Sequence, residues 1–252
     1  MTDWFVTRGN ESPAHARVFC FAHAGGDARA FLDWQPGLGT DAELVAVRAS
    51  GGLRREAPSP SIDEFADGAA TAISAAARGD DRPIYLFGHS LGALIAFEVA
   101  RRLADLPTLR HLVASGCSAP PLMPSKRLVE VAKLEGKALA EAIGFLGGLP
   151  PEVLADEDLR DLLLPRLVAD MRMAVTYRFR QAPPLTIGSS LINGRDDPHV
   201  GIAVLRAWAD VCSTPPAYHW ADGGHFYFER QPAAVIGLLR HVIQADQHVE
   251  LI

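Results

Sequence analysis

A serine lies between two glycines in a context that suits nucleophilic catalysis. The segment Gly88-His89-Ser90-Leu91-Gly92 follows an apolar run, Ile84–Phe87, and opens a stretch with apolar residues at helical spacing. A strand, a sharp turn and a helix in this order form a nucleophile elbow, where small residues on both sides of the serine let the strand and helix approach each other. We therefore predict that Ser90 is a nucleophile. The alternative is an ordinary glycine-rich turn.

Ser90 needs a base and an acid, because a serine hydroxyl is a weak nucleophile until a neighbouring group removes its proton. In such sites the acid and then the histidine follow the serine along the chain, each after a later strand. His225 follows the apolar run Ala217–Trp220, and glycines before it free the backbone of its loop. We predict that His225 is the base, the alternative being a histidine of the core or surface.

Two adjacent acids, Asp196 and Asp197, follow another apolar run, Ser189–Asn193. Asp197 is the predicted partner of His225, because the proline after it favours an extended backbone at position 197. Asp196 remains the alternative. Whichever acid does not hold the histidine is expected to be a solvated loop charge.

The loop Phe21-Ala22-His23-Ala24-Gly25-Gly26 follows the first predicted strand, and its glycines would let the backbone approach a substrate. Acyl transfer places negative charge on the former carbonyl oxygen, which backbone N–H groups stabilise. We predict that the N–H groups of Ala24 and Leu91 form this oxyanion hole, the alternative being a plain turn. His89, beside the nucleophile, is predicted to be a structural hydrogen-bonding residue rather than a second base.

The elements that must position these residues alternate between short apolar runs and longer helical patterns. This alternation predicts an α/β fold with a mostly parallel central sheet and helices on both faces. A length of 252 residues fits a single domain over residues 1–252. The predicted strands are Val18–Ala22, Leu44–Arg48, Ile84–Phe87, His111–Ser115, Ser189–Asn193 and Ala217–Trp220.

One stretch, at about residues 120–185, has helical character and no convincing strand, and proline-rich segments bracket it. Apolar residues at helical spacing predict helical segments over Arg127–Phe145 and Asp156–Phe179, with Asp156 as an N-cap. Pro165 is expected to kink the second segment or restart it. We interpret residues 120–185 as a helical insertion above the sheet that serves as a lid, which would shape a pocket and exclude water.

Composition excludes several other classes of function. With 24 Lys+Arg against 30 Asp+Glu, the net charge is -6, which argues against a nucleic-acid partner. Neither a membrane-spanning apolar stretch nor the apolar core of a secretory signal is present, so a cytoplasmic location is expected. Cys20, Cys117 and Cys212 lack metal-ligand spacing and are expected to be buried, unpaired hydrophobic residues.

Taken together, these motifs resemble the stand-alone type II thioesterases of polyketide and non-ribosomal peptide biosynthesis, a branch of the α/β-hydrolases. The resemblance covers nearly the whole chain, and its most specific parts are the H-A-G-G loop, the insertion motifs and the G-G-H-F segment. The segments that carry it are Phe21–Gly26, Gly88–Gly92, Ser115-Gly116, Ala119-Pro120, Gly147–Pro150, Leu164–Arg166, Ala169-Asp170, Asp197-Pro198 and Gly223–Phe226.

The resemblance implies an α/β-hydrolase fold and hydrolysis of acyl thioesters on the phosphopantetheine arm of carrier proteins. It implies a triad of Ser90, His225 and Asp197 and an acyl-serine intermediate, with oxyanion donors at Ala24 and Leu91. No metal or bound cofactor is expected, since phosphopantetheine enters with the substrate. The expected partner is an acyl or peptidyl carrier protein, bound transiently, and the expected oligomeric state is a monomer.

Two positions depart from the family pattern. Ala22 replaces a proline that usually precedes H-A-G-G, and Ser50-Gly51-Gly52 replaces the usual P-G-R after the second predicted strand. The second change is expected to alter the pocket mouth and with it the preference for carrier or acyl group.

Three other functions remain open. The same triad would serve a carboxylesterase or lipase that cleaves oxygen esters. It would also serve an acyltransferase or cyclase, in which a hydroxyl or amine replaces water. A binding protein that kept the fold without catalysis belongs to a different class, and an intact set of catalytic residues argues against it.

Overall fold

A seven-stranded sheet forms the centre of the fold. The computed structural model describes residues 4–9, 13–48, 61–145, 152 and 155–249. The strand order is β1-β3-β2-β4-β5-β6-β7, in which β1 is antiparallel to β3 and every other pair is parallel. The strands are β1 Phe5–Thr7, β2 Ala16–Phe21, β3 Ala42–Val47, β4 Ile84–His89, β5 Leu109–Ser115, β6 Gly188–Gly194 and β7 Ala217–Ala221.

All six predicted strands are present, and their ends lie within two residues of the prediction. The prediction missed β1. This strand has three partly or fully exposed residues at the edge of the sheet, so it carries neither a continuous apolar run nor a full alternation. The mostly parallel α/β architecture is confirmed.

Helices cover both faces of the sheet, as predicted. The α-helices are α1 Gln35–Leu38, α2 Ile62–Ala77, α3 Leu91–Arg102, α4 Lys126–Val131, α5 Gly136–Phe145, α6 Glu157–Thr176, α7 Ile202–Arg206, α8 Tyr227–Arg230 and α9 Pro232–Val249. In the described part of the chain, 3₁₀ helices span Ala28–Trp34, Pro120–Leu122 and Ala207–Val211.

The central strands supply side chains to two hydrophobic cores, one on each face of the sheet. In β2, Phe19 packs with the core under α2 and α3, whereas Val18 and Cys20 pack with the core under α9. Because both faces are covered, every residue of β2 and β4 is buried. This double coverage is the reason that the strands have continuous apolar sequences.

The helices α4, α5 and α6 lie between β5 and β6, within the insertion at residues 120–185. The predicted segment Arg127–Phe145 is divided into two helices. Gly136 has a φ of 51°, a left-handed conformation through which a right-handed helix does not continue. The motif Gly147–Pro150 and the segment Ser50–Gly52 lie outside the described residues.

Helix α6 begins as predicted, because the backbone N–H of Leu159 donates to Oδ1 of Asp156 at 3.1 Å. The helix ends at Thr176, three residues before the predicted end at Phe179. It continues through Pro165 rather than restarting there. Proline leaves the carbonyl of Asp161 without its helical donor, and because Asp161 is exposed, water can bind that carbonyl.

The three cysteines are buried and unpaired, as predicted, and burial raises the pKa of Cys20 and Cys117, the latter to about 12. Among the described residues, no helix combines the length and the apolar character that crossing a bilayer requires.

Candidate active site

Ser90 lies at the tip of a strained turn between β4 and α3. It has a φ of 54° and a ψ of -117°, and it is the one residue other than glycine with positive φ in the described part of the chain. Strain of this kind is maintained only when the surrounding structure fixes it, and it is frequent at functional sites. The turn therefore has the geometry predicted for a nucleophile elbow.

The glycines around Ser90 are required by close backbone approach. A Cβ atom at Gly88 would collide with the carbonyl of Gly92, and a Cβ atom at Gly92 would collide with the carbonyls of Phe21 and Ala22. Since these neighbours are backbone atoms, a rotamer change cannot relieve the collision. The elbow thus depends on glycine at both positions.

We expect Gly92→Ala to destabilise the fold by about 3 kcal/mol and to displace Ser90, because the new methyl group overlaps the end of β2. Gly237→Ala is the matched control. Gly237 is exposed in α9, and beyond the adjacent backbone of its own helix nothing lies within 4 Å of the position that a methyl group would take, so alanine should stabilise the fold by roughly 0.5–1 kcal/mol. Urea unfolding measures both changes. Equal midpoints for the two variants would show that position 92 does not need glycine.

His225 and Asp197 form a buried pair. Nδ1 of His225 lies 2.8 Å from Oδ2 of Asp197, and the side chains are 10% and 0% exposed. The backbone N–H groups of His199 and Val200 donate to Oδ1 of Asp197 at 2.8 and 3.3 Å. Burial opposes ionisation of Asp197, but its hydrogen bonds, first that with His225, lower its pKa. Asp197 is therefore held as a carboxylate that orients the imidazole.

The alternative acid, Asp196, is exposed, and its backbone N–H donates to the carbonyl of Gly223. Its side chain takes no part in the pair with His225. Of the two candidate acids, the structure brings only Asp197 to the histidine.

Ser90 and His225 lie on the wall of one cavity. Gly116 packs between the histidines of this region, since a Cβ atom there would lie 2.5 Å from Cε1 of His89 and 3.3 Å from Cε1 of His225. Within the described residues, no hydrogen bond joins the hydroxyl of Ser90 to the ring of His225. The structure thus places the two predicted residues at one site without that bond.

The predicted oxyanion donors line the same cavity. In the loop that contains Ala24, the N–H of Gly26 donates to the carbonyl of His23 at 2.9 Å, and the N–H of Gly25 donates to Oδ2 of Asp170 at 2.8 Å. Both glycine N–H groups are therefore occupied, and Ala24 is the residue of the loop left beside the cavity. Leu91 is the first residue of α3, where a backbone N–H has no helical acceptor.

His89 lies behind the elbow in a hydrogen-bonded chain. Its Nδ1 atom is 2.8 Å from Oγ of Ser115, which is 2.8 Å from the hydroxyl of Tyr227. The ring is fully buried, and burial lowers the pKa of His89 well below its usual value. His89 is thus a neutral ring whose centroid lies 4.8 Å from that of His225. This environment suits the structural role predicted for it; Ser115 and Tyr227 were not predicted as its partners.

The cavity beside Ser90 has a volume of about 320 Å³, which is in the usual size range of small-molecule sites. Residues of the insertion form much of its wall, and these side chains are mainly apolar. They include Met123, Leu128, Val131, Met171 and Ala174, with Arg127 among the polar ones. The cavity is suited to an apolar chain that ends at Ser90.

Two charged residues of α6 contact the H-A-G-G loop, and sequence reasoning assigned them no role. Nη2 of Arg166 donates to the carbonyl of Gly26 at 2.7 Å, and Asp170 accepts from Gly25. Asp170 could have been noticed, because it lies three residues after Leu167, on the buried face of the helix. Among the described residues, no group of three or more metal-ligating side chains is clustered for a metal ion.

Comparison with known proteins identifies a matching family. The family described as "Thioesterase domain" matches residues 16–243. Thioesterase PikA5 of Streptomyces venezuelae is 33% identical over 232 residues, covering 90% of this chain and 81% of its own. Gramicidin S biosynthesis protein GrsT of Aneurinibacillus migulanus is 29% identical, covering 89% and 87%. The type II thioesterase BorB from the borrelidin biosynthetic cluster superposes with a TM-score of 0.85 at 31% identity, covering 96% and 98%.

Proposed function

The chain belongs to the thioesterase domain family, and we propose that it hydrolyses acyl thioesters on the phosphopantetheine arm of carrier proteins in polyketide or non-ribosomal peptide biosynthesis. The family confirms the resemblance that the motifs indicated. Removal of stalled or aberrant acyl groups is the role we assign, as in an editing type II thioesterase. The observation that carries the proposal is the buried His225–Asp197 pair on the wall of an apolar cavity that also contains Ser90.

In the proposed mechanism, Oγ of Ser90 attacks the thioester carbonyl while Nε2 of His225 accepts the hydroxyl proton. The carbonyl π electrons move to oxygen, and the N–H groups of Ala24 and Leu91 stabilise that charge. When the tetrahedral intermediate collapses, the C–S bond breaks and the pantetheine sulfur takes the proton from His225. Asp197 stabilises the imidazolium during both steps.

Water completes the reaction. His225 removes a proton from a water molecule that attacks the acyl-serine, and the C–O bond to Ser90 breaks as the serine recovers its proton. The products are a free carboxylic acid and a regenerated enzyme. Before the first step, Oγ of Ser90 must come within hydrogen-bond distance of His225, and such bonds commonly shorten when substrate binds.

A thioester suits this site because its leaving group needs little help. A thiol with an ordinary pKa of about 8.5 departs far more readily than an amine. His225 therefore suffices as the proton donor, and we assign no further general acid.

We propose that the insertion acts as a lid. Its apolar side chains form much of the cavity wall, so they would exclude bulk water from the acyl chain while the carbonyl reacts. We further propose that the protein acts as a monomer in the cytoplasm and binds an acyl or peptidyl carrier protein transiently. Buried, unpaired cysteines are compatible with such a reducing compartment.

The experiment that tests the proposal compares leaving groups on one acyl chain. We expect an acyl-pantetheine thioester, free and on a carrier protein, to be hydrolysed at least about tenfold faster than the matched oxygen ester, because the thiolate departs more readily. Preference for the oxygen ester would identify an esterase instead. Product mass separates hydrolysis from transfer or cyclisation, and failure of a fluorophosphonate to label Ser90 would indicate a binding protein without catalysis.

A further inference from the structure

Helix α6 of the insertion holds the loop of the predicted oxyanion donor at two backbone atoms. Asp170 accepts the N–H of Gly25 at 2.8 Å, and Arg166 donates to the carbonyl of Gly26 at 2.7 Å. These bonds join segments about 140 residues apart in sequence. They fix the peptide group between Ala24 and Gly25 and the one between Gly26 and Asp27.

The loop and the helix are also in close van der Waals contact. Gly25 has a φ of 75°, and a Cβ atom there would lie 3.1 Å from Cδ1 of Leu167. Leu167 is itself buried in a small core between α5 and α6. The loop is therefore seated on α6 both by packing and by hydrogen bonds.

Asp170 is an unusual residue for the place it occupies. It is 7% exposed, and its neighbours along the buried face of α6 are apolar. Burial raises the pKa of Asp170, against the hydrogen bond from Gly25 and the charge of Arg166, which lower it. A buried carboxyl group is unfavourable unless it is hydrogen-bonded, so an apolar residue would pack here with less cost. Its bond to Gly25 therefore points to a role in shaping the loop.

We propose that Asp170 is a positioning residue, which with Arg166 ties the loop to α6 so that the N–H of Ala24 faces the reacting carbonyl. Because both side chains belong to the insertion, the oxyanion hole is complete only while α6 is docked on the loop. This inference rests on the proposed acyl-transfer mechanism.

The test measures turnover together with binding of a tetrahedral analogue. We expect Asp170→Ala to lower kcat about 10- to 100-fold on an acyl-N-acetylcysteamine thioester with little change in KM, since a displaced donor stabilises only the transition state. Affinity for an acyl trifluoromethyl ketone, which forms an oxyanion on Ser90, should fall by the same factor. Asp170→Asn keeps an oxygen acceptor and should therefore retain most of the wild-type kcat and most of the wild-type ketone affinity.

Asp161→Ala is the matched control, because Asp161 is an exposed acid of the same helix, about two and a half turns before Asp170. The kcat and the ketone affinity of this control should match those of the wild type. Should Asp170→Ala fail to fold, Arg166→Met removes the bond to Gly26 instead. We expect this variant to bind the ketone about threefold more weakly, as for the loss of one hydrogen bond from a partly exposed side chain. Unchanged ketone affinity in that variant would overturn the proposal.

If Asp170 only stabilised the fold, without positioning the N–H of Ala24, the measurements would differ. Asp170→Ala would then lower the melting temperature and the fraction of sites that a fluorophosphonate titrates, while kcat per titrated site and ketone affinity stayed at wild-type values. Equal losses for alanine and asparagine would also contradict the acceptor role.

If the wild type failed to cleave thioesters, the proposed function would be wrong. Ketone affinity would still test Asp170, because it involves no leaving group.

Discussion

Ser90→Ala should lower kcat by roughly 10⁴- to 10⁶-fold, because the variant lacks the hydroxyl at the elbow that forms the acyl intermediate, and only binding and the oxyanion donors would remain. The turn should persist, since the glycines that permit it are unchanged. With a slowly hydrolysed acyl thioester, mass spectrometry should find one acyl group on the peptide that contains Ser90 in the wild type and none in the variant.

Ser213→Ala is the control for this change, because Ser213 is an exposed serine before β7, away from the cavity. It should keep wild-type turnover. If Ser90→Ala retained more than a few per cent of activity with an acyl group on another residue, the assignment of the nucleophile would be wrong.

Asp197→Asn should lower kcat by about 10⁴-fold, the loss typical of a triad acid converted to its amide. The carbonyl of asparagine can still accept the N–H groups of His199 and Val200, so the loop should hold its shape. Its amide N–H₂ would then face Nδ1 of His225. That ring nitrogen would become the acceptor, the proton would move to Nε2, and the base could no longer take the proton of Ser90.

Asp196→Asn is a matched control, since it makes the same change one residue away at an exposed side chain. We expect its turnover to stay within about twofold of wild type, as for a solvated surface charge. Steady-state kinetics and fluorophosphonate labelling rates measure both variants. A large loss at position 196 with little at 197 would reverse the assignment of the acid.

The central strands could be predicted because they lie between two layers of helices. Burial on both faces makes a strand continuously apolar, and that pattern is visible in β2 and β4 without any structure. The edge strand β1 has neither property, so it could not be recognised. The break before α5 depends on the backbone conformation of Gly136, which composition does not specify.

The candidate site was predictable to the extent that its residues follow strands. The carboxyl ends of parallel strands meet at one edge of a sheet, so Ser90, Asp197 and His225 could be placed together from their positions alone. Contacts between the insertion and the sheet depend on tertiary packing, and no local pattern encodes them. For this reason the sequence marks Asp170 only as part of a motif, whereas its bond to Gly25 is visible in the structure alone.

The division of the cavity wall between the sheet and the insertion has a consequence for how such proteins diversify. The reacting groups stand on strand ends that the two main cores fix, whereas Met123, Val131 and Met171 belong to the insertion. Met171 is part of the small core between α5 and α6, and Val131 packs against that core. Acyl preference can therefore drift by substitution of the insertion residues that line the cavity, while the catalytic residues at the strand ends are kept. Laboratory evolution of chain-length selectivity should begin at these three side chains.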